Sequence, residues 1–308
     1  MQGSLLFLLS ALVALMPGLG FFAMLSSASA PSPVAEHAVV IFGGDMMFDR
    51  TIRAAIDQKG GDFIFSCIDD TLQRSDMVVA NLEGPITATS STSVGSPIGA
   101  PDNFTFTFAP STAALLYAHH VGLVNLGNNH IENFGIAGVR STIAFLSQAG
   151  VGYFGDPLSD TVSRGELKGV KVAFIGYNEF IDHAQAASTT IAQIKTARAG
   201  GYLPIVYTHW GIEYATTSPL SVQALAHEFV DAGAEIVIGS HPHVVEEHEI
   251  YKGKYIYYSL GNFIFDQYFS DAVDHGLLLS VDITSAGVQS VTEIPIELDH
   301  DRRTCPTP

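Results

Sequence analysis

Short apolar runs recur along the chain, and most of them are followed at once by polar residues. The runs 38–42, 77–80, 121–126, 203–207 and 234–238 have the length and composition of buried parallel strands. Between the runs lie stretches with helical periodicity that end near glycine. The predicted helices are 49–58, 63–73, 111–120, 135–148, 188–199 and 218–232. The pattern therefore predicts repeated β-α units over the first two thirds of the chain.

The last third has a different pattern. The runs 244–251 and 255–259 flank a Lys-Gly-Lys turn, and 277–283 and 288–298 are two further strands, all predicted to pair antiparallel. A shorter alternating stretch, 104–108, predicts one more half-buried strand. Because no internal repeat and no linker divides this part of the chain, we predict one α/β domain with two packed, mixed sheets.

The first thirty residues carry no charged side chain, and Leu5 to Leu25 is almost wholly apolar. Ala28-Ser29-Ala30 offers a small-x-small cleavage site, which favours a signal peptide. The absence of Lys and Arg before the apolar run, and its bilayer-spanning length, keep an uncleaved anchor open. Either alternative predicts an extracytoplasmic protein, secreted or membrane-anchored. The predicted organisation is a leader or anchor at 1–30, a linker at 31–37, the domain at 38–299 and a tail at 300–308.

Composition narrows the classes of function. With 47% hydrophobic and 15% charged residues in 308, the chain can bury a large core. A net charge of −17 argues against a nucleic-acid partner, because phosphates would find no broad basic surface. The two cysteines, Cys67 and Cys305, leave two alternatives open: a disulfide, which an oxidising compartment permits, or a buried thiol and a frayed tail.

Candidate metal ligands follow five of the predicted strands. They are Asp45, Glu83, Asn129 with His130, His209, and His241 with His243. Loops converge beyond the carboxyl ends of strands in α/β sheets, so these side chains are expected to meet there. Carboxylate, amide oxygen and imidazole suit divalent ions such as Mn, Zn or Fe.

Two such ions, about 3.5–4 Å apart, need a bridging carboxylate and can activate a water as nucleophile. Glu83 is the natural bridge, because its two oxygens can serve two ions. Taken singly, each residue has an ordinary alternative: Asp45 as a helix N-cap, Asn129 as a turn residue and His209 as a core histidine. The agreement among five strand ends favours the metal site.

Six motifs in order along the chain carry a family resemblance. They are Gly44-Asp45-Met46-Met47 with Arg50, Asn81-Leu82-Glu83-Gly84, Asn128-Asn129-His130 with Gly135, His209-Trp210-Gly211 with Glu213-Tyr214, Gly239-x-His241-Pro242-His243-Val244, and Tyr258-Ser259-Leu260-Gly261-Asn262-Phe263 with Phe265-Asp266-Gln267. With these motifs the chain resembles the CapA family of poly-γ-glutamate capsule-synthesis proteins. That family looks like a branch of the calcineurin-like metallophosphoesterases.

The resemblance implies a four-layer αββα sandwich of the metallophosphatase type with a dinuclear site. Asp45 and His243 would hold one ion, and Glu83 would be shared. Asn129, His209 and His241 would hold the other ion.

His130 would act as general acid, a task that suits imidazole. Arg50 would clamp an anionic substrate group, with an ordinary surface arginine as the alternative. Glu213 and Asn262 would orient imidazoles, or would be simple turn residues.

Two positions depart from the family patterns. Broader calcineurin-like enzymes carry histidine where this chain has Met47, a poor ligand for hard ions, so the first ion is expected to be weakly held or absent. The carboxylate that usually follows the Asn-His pair is replaced by Asn133, which cannot raise the basicity of His130. Both departures bear on catalysis.

Three functions therefore remain open from the sequence. The first is an extracytoplasmic metal-dependent hydrolase acting on a phosphoester or an anionic surface polymer such as a capsule. The second is a non-catalytic assembly factor that binds the polymer through its metal site, beside a membrane-bound polymer synthase. The third is an interaction module whose histidines are structural.

Overall fold

A computed structural model describes residues 37–307 of the chain. The predicted leader or anchor at 1–30, and the predicted linker except for His37, lie outside the described residues. Every helix among the described residues is too short or too polar to cross a bilayer.

The described residues form fourteen strands and seven α-helices. The helices are α1 Arg50–Lys59, α2 Asp62–Phe65, α3 Asp69–Leu72, α4 Ser111–Ala118, α5 Gly135–Ala149, α6 His183–Ala199 and α7 Leu220–Ala232. The strands are β1 His37–Met46, β2 Met77–Leu82, β3 Val121–Asn125, β4 Gly152–Phe154, β5 Ser163–Leu167, β6 Val170–Asn178, β7 Leu203–His209, β8 Ile236–Ser240, β9 His248–Tyr251, β10 Lys254–Tyr257, β11 Asn262–Ile264, β12 His275–Thr284, β13 Gly287–Leu298 and β14 Thr304–Pro306.

The strands form two mixed sheets. The first runs β14-β13-β12-β1-β2-β3-β4, with β11 paired in parallel to β1. Its β1 to β4 strands are parallel, while β12, β13 and β14 are antiparallel to their neighbours. The second sheet runs β5-β6-β7-β8-β10-β9 and has a parallel centre with antiparallel edges.

Alternate side chains of the central strands serve different cores, which defines the layers. In β1, Val40 and Phe42 face the core between the two sheets, whereas Ile41 packs with α1 and α5 residues on the outer side. In β6, Phe174 faces the inter-sheet core and Ile175 packs with α6 and α7 residues. Three apolar cores thus separate four layers, and the prediction of an αββα sandwich is confirmed.

Some predicted elements differ from the structure. The predicted helix 63–73 is divided into α2 and α3, and the predicted strand 104–108 follows a 3₁₀ turn at Pro101–Phe104 and contributes only a single bridge, Ile86 to Phe108. The predicted tail at 300–308 is wrong for Thr304–Pro306, which pairs with β13 as a strand. Cys305 in this strand forms a disulfide with Cys67, which settles the alternative left open by the sequence.

Two glycines let backbone segments come close together beside the strand ends. A Cβ at Gly44 would overlap the carbonyl oxygen of Gly261, and one at Gly239 would overlap that of Tyr258. Gly44 immediately precedes Asp45, and Gly239 lies two residues before His241. The absence of a side chain at each position therefore permits the close backbone contact that places Asp45 and His241.

Gly239→Ala is expected to lower the free energy of unfolding by about 2 kcal/mol or more, because neither the added Cβ nor the facing carbonyl can move aside. Gly165→Ala, in the edge strand β5 with open space around it, is the matched control and should change stability by less than about 0.5 kcal/mol. Urea denaturation of both variants measures the difference. Equal losses would contradict this account of Gly239.

Candidate metal centre

The predicted ligands meet where the carboxyl ends of the two sheets lie side by side. Asp45 is the second-last residue of β1, Glu83 directly follows β2, and His209 ends β7. His241 and His243 follow β8. All five side chains are buried, and the backbone N–H of His241 donates to Asp45 Oδ2 at 3.0 Å. The structure therefore brings together residues from both halves of the chain.

One group of donors consists of Asp45, Glu83 and His243. One ligand atom from each lies within 4.8 Å of the other two. His243 Nδ1 is 3.4 Å from Asp45 Oδ2, and its Nε2 is 3.5 Å from Glu83 Oε1. This spacing suits three ligands of one divalent ion.

A second group, Asn129, His209 and His241, adjoins the first. His209 Nε2 lies 2.9 Å from Asn129 Oδ1 and 3.2 Å from His241 Nδ1. His209 Nδ1 lies 3.7 Å from Asp45 Oδ1, which links the two groups. All six predicted ligands thus belong to one continuous set of contacts.

Ser240 and Asn81 lie beside Nδ1 of His209. Ser240 Oγ, 3.0 Å away, donates to the Thr208 carbonyl and can therefore accept a proton carried on Nδ1, whereas Asn81 Nδ2 lies 3.3 Å from the same nitrogen as a donor. With the proton on Nδ1, the Nε2 lone pair points toward Asn129 and His241. An imidazole fixed in this way is prepared to bind a metal through Nε2.

Asn262 does the same for His243. Its Nδ2 donates to Gln267 Oε1 at 3.1 Å and to the Val273 carbonyl at 3.0 Å. Its Oδ1, 3.0 Å from His243 Nδ1, is therefore the acceptor, and His243 Nε2 is left for the centre. The structure places Asn262 where a residue that orients an imidazole is required.

Glu213 does not fill the corresponding role. It lies exposed in the loop after β7, and no hydrogen bond joins it to an imidazole among the described residues. The prediction that Glu213 orients a histidine by contact is therefore wrong. Its negative charge still acts at a distance, since it contributes to raising the pKa values of Glu83 and His243.

The surroundings of the Glu83 carboxylate indicate whether the donor set fits a metal ion. Its side chain is 0% exposed, and neither carboxylate oxygen has a hydrogen-bond partner. Burial, followed by the charge of Asp45, raises the pKa of Glu83 well above its ordinary value. A buried carboxylate without a partner is costly, and a divalent ion held by both oxygens would remove that cost. The donor set therefore fits one or two divalent cations.

The other ionisable groups are shifted according to their surroundings. Burial, with the positive charge of His243, lowers the pKa of His241 to about 3. Burial opposes protonation of His243, but the charge of Glu83 and the contacts with Asp45 raise its pKa to about 9. Burial would raise the pKa of Asp45, yet its hydrogen bond to His243 and the charge of His209 lower it. The centre therefore favours an anionic Asp45 beside a cationic partner.

The two predicted catalytic residues lie at the edge of the centre. His130 Nε2 is 3.9 Å from Glu83 Oε1, and the Phe106 ring lies against the imidazole, 4.5 Å between centroids. Arg50 lies beside the paired rings of Phe106 and Phe265, at 5.2 and 5.4 Å from their centroids. The Arg50 side chain is only 11% exposed, so the alternative of an ordinary surface arginine is wrong.

The structure shows what Met47 and Asn133, the two departures from the family patterns, contact. Met47 is fully buried in the core on the outer side of the first sheet, and its Sδ accepts from the Asp49 N–H at 3.0 Å. It therefore takes no part in the centre. Asn133 Nδ2 lies 3.2 Å from His130 Nδ1 and donates to the Phe104 carbonyl at 2.8 Å.

A buried network of asparagines, not predicted from the sequence, lies beneath the ligands. Asn81 Nδ2 donates to Asp45 Oδ1 at 2.8 Å, and Asn81 Oδ1 accepts from Asn125 and Asn128. The available signal was the position of Asn81 and Asn125 at the carboxyl ends of β2 and β3, the rule that identified the ligands. These amides hold Asp45 in place.

Fold and site together define a class: a four-layer αββα protein with a candidate divalent-metal centre at the carboxyl ends of its strands. The family follows from the sequence match. The chain belongs to the bacterial capsule synthesis proteins PGA_cap, whose family model matches residues 39–267. The family resemblance expected from the motifs is confirmed.

Several relatives share this similarity. The PGA biosynthesis protein CapA of Bacillus subtilis is 28% identical over 284 residues, covering 84% of this chain and 73% of that protein. The capsule biosynthesis protein CapA of Bacillus anthracis is 30% identical over 263 residues, covering 79% and 63%. A probable polyglutamine synthesis accessory protein of Mycobacterium tuberculosis is 27% identical over 219 residues, covering 62% and 56%. The chain thus spans less than two thirds of the length of the second and third relatives.

Two solved structures show a weaker likeness. The protein TT1561 of Thermus thermophilus aligns with a TM-score of 0.44 and 10% identity, covering 83% of this chain and 97% of that one. The purple acid phosphatase PPD1 of yellow lupin aligns with a TM-score of 0.35 and 12% identity, covering 84% and 54%. The fold described above rests on its own sheets and cores.

Glu83→Gln is expected to affect the metal-free and the metal-loaded protein in opposite ways. Without metal at pH 7, the melting temperature should stay unchanged or rise, because the folded state no longer buries a carboxyl group that lacks hydrogen bonds. With excess Mn(II) or Zn(II), wild type should gain about 2.7 kcal/mol at one hundred times the dissociation constant, and the variant should lose most of that gain. Thermal melting with and without metal measures both effects.

Glu246→Gln is the matched control. Glu246 is also a buried carboxylate whose oxygens lack partners, and burial raises its pKa to about 8, yet it is outside the ligand set. Its variant should keep the full metal response.

The pH dependence gives a further check on Glu83. An acid whose folded pKa is raised loses stability as pH rises through its ordinary value of 4.5, so this loss should shrink in Glu83→Gln. A full metal response in Glu83→Gln would contradict the assignment.

Proposed function

We propose that this chain is an extracytoplasmic, metal-dependent hydrolase that cleaves a phosphoester, or a bond in an anionic surface polymer, during capsule synthesis. The observation that carries the proposal is Glu83, a fully buried carboxylate without a hydrogen bond, grouped with five further residues that offer N and O ligand atoms. Such a donor set is costly to bury unless a cation completes it. Membership of the capsule-synthesis family supports the biological setting.

The cations would supply Lewis acidity and an activated water, as in two-metal hydrolases. Asp45, Glu83 and His243 would hold one ion, and Asn129, His209 and His241 would complete the place of a second that shares Glu83. The ions considered are Mn, Zn or Fe.

His130 would donate a proton to the leaving group. Asn133 Nδ2 can donate one proton to the Phe104 carbonyl and the other to His130 Nδ1, so His130 carries its own proton on Nε2, facing Glu83. Burial and the charge of His243 lower the pKa of His130 to about 4, so the neutral imidazole presents an N–H donor. A bound anion would raise this pKa and bring proton transfer to the leaving oxygen within range.

Arg50 would bind an anionic group of the substrate. Its guanidinium is oriented by Asp266 and by two phenyl rings, and its Nε is buried without a partner. A guanidinium fixed in this way loses little entropy when it binds a carboxylate or phosphate. An anionic substrate would then be recognised locally in spite of the acidic surface.

Two further observations support a location outside the cytoplasm. The Cys67–Cys305 disulfide is the kind of bond that persists in oxidising compartments. The uncharged first thirty residues agree with a signal peptide or an anchor. A membrane-bound polymer synthase would be a natural partner in that location.

A second candidate function is a non-catalytic assembly factor that uses the centre to bind an anionic polymer. Two observations favour it: Met47 lies in the core and supplies no ligand, and Asn133 gives His130 no negative partner. Both features weaken catalysis without removing a place for an anion.

His130→Ala should abolish most of the hydrolysis of an activated phosphoester measured with Mn(II) or Zn(II). A loss of about 10²-fold or more is expected, because an acid catalyst contributes roughly that much. Metal content should stay at the wild-type level. The control is His248→Ala, a half-exposed histidine in β9, which should keep full activity.

The outcome separates the two functions. Equal rates in wild type and His130→Ala would contradict the hydrolase. Binding of poly-γ-glutamate that disappears on adding a chelator, without any turnover, would support the assembly factor.

The proposed extracytoplasmic location predicts that Cys67 and Cys305 are disulfide-bonded in the exported protein. Wild-type protein recovered outside the cytoplasm should take up no alkylating reagent before reduction and two equivalents afterwards, since the chain has two cysteines and they are paired. Intact mass spectrometry measures the uptake. Two alkylated thiols before reduction would contradict the disulfide and weaken the proposed address.

A further inference from the structure

The segment 299–306 lies beyond the residues that the family model matches, yet it packs beside the proposed anion site. Two backbone hydrogen bonds of 2.8 Å close a turn: the Asp299 N–H donates to the Arg303 carbonyl, and the Arg302 N–H donates to the Asp299 carbonyl. β14 then pairs with β13, and Thr304 Oγ1 donates to the Phe263 carbonyl at 2.6 Å. The segment is therefore held to the first sheet along its length.

A covalent bond fixes the same segment from the other side. Cys305 is joined to Cys67, which lies between α2 and α3 and is separated from it by 238 positions in the sequence. The turn at 299–303 is thus anchored between β13 and a disulfide-bonded strand. Its side chains have a defined place relative to α1.

Arg302 projects from this turn toward the start of α1. Its backbone φ of +84° is unusual for a residue with a side chain. Its guanidinium lies over the Tyr268 ring, 4.7 Å from the centroid, and Nε donates to Thr51 Oγ1 at 2.8 Å. Its Nη1 donates to the His300 carbonyl of the same turn. A strained residue whose side chain makes three specific contacts suggests a role for that side chain.

Thr51 links Arg302 to Asp266 by hydrogen bonds. Its Oγ1 accepts from Arg302, so its single hydroxyl proton is free to donate to Asp266 Oδ2, 2.8 Å away. The Thr51 N–H donates to the same oxygen at 3.0 Å. The other carboxylate oxygen of Asp266 accepts from Arg50. A continuous series of hydrogen bonds therefore runs from Arg302 to Arg50.

The position of Arg50 matters because of what surrounds it. Its guanidinium contacts two adjacent rings: Phe106, which packs on His130, and Phe265, whose centroid lies 4.8 Å from that of His243. A change in the direction of the Asp266 carboxylate would turn the guanidinium relative to both rings. Small displacements of a positioning group can strongly alter how a substrate is held.

We propose that Arg302 is a positioning residue for Arg50, acting through Thr51 and Asp266. The segment 299–306 is then a structural part of the anion site. This inference rests on the proposed function only for the nature of the ligand that Arg50 binds.

The first measurement does not require any activity. Phenylglyoxal modifies arginine, and peptide mass spectrometry follows the rate at Arg50, whose side chain is 11% exposed in the folded protein. In Arg302→Ala this rate should rise about fivefold, the effect of losing roughly one hydrogen bond that restrains the group. Thr51→Val, which removes the hydroxyl but keeps the shape, should give a similar increase.

Arg303→Ala is the matched control. Arg303 belongs to the same turn, but it pairs with Asp301 and lies over the Phe63 ring, without a contact to Thr51. The modification rate of Arg50 should stay at the wild-type value in this variant. Arg302→Lys should restore part of the protection, because lysine can still donate to Thr51.

Kinetics provide the second measurement. Arg302→Ala should raise the KM for an anionic phosphoester about three- to tenfold with kcat changed less than about twofold, the pattern of weaker binding. If wild type hydrolyses nothing, the proposed function fails, and the modification rates still decide this inference. Equal Arg50 rates in Arg302→Ala and Arg303→Ala would overturn it.

Discussion

The structure depends on a carboxylate that is buried without a partner. Glu83 lies where the carboxyl ends of two sheets meet, and neither of its oxygens has a hydrogen-bond partner within the described residues, although His243 Nε2 lies 3.5 Å from Oε1. Folding brings this charge out of water, and a cation is the group that compensates such a cost. The imidazoles of His209 and His243 are turned by Ser240 and Asn262 so that Nε2 faces the same space. The fold therefore builds a place for positive charge.

The two sheets can deliver these groups because their backbones approach closely beside the centre. Gly44 precedes Asp45 on the first sheet, Gly239 precedes His241 on the second, and each packs without a side chain against a carbonyl group. The inter-sheet core, with Phe42 as one member, fixes the spacing of the strands behind them. Loops alone could not hold ligands separated by so many positions with this accuracy.

Much of this arrangement could be predicted from the sequence, because it follows from local pattern. Apolar runs identified the strands, and the polar residue after each run identified ligands such as Glu83 and His209. What was missed depends on distant pairs. Asn81 and Asn125 stand at strand ends, where the ligands were found, but the hydrogen bonds that join them to each other and to Asp45 link residues far apart in the chain. The pairing of Cys67 with Cys305, left open from the sequence, likewise joins distant positions that no spacing rule connects. The predicted role of Glu213 in orienting a histidine was wrong because a position in a motif gives no information about exposure.

The departures from the family patterns have opposite consequences for binding and for catalysis. With Met47 in the core, the first group has three protein donors, which would leave more coordination positions for water or a substrate oxygen. Asn133 makes His130 an N–H donor toward Glu83, a group that stabilises negative charge before it transfers a proton. Both changes favour holding an anion over rapid turnover. A slow hydrolase that retains its polymer and an assembly factor that only binds it would therefore use the same residues, and proton transfer from His130 is the step that distinguishes them.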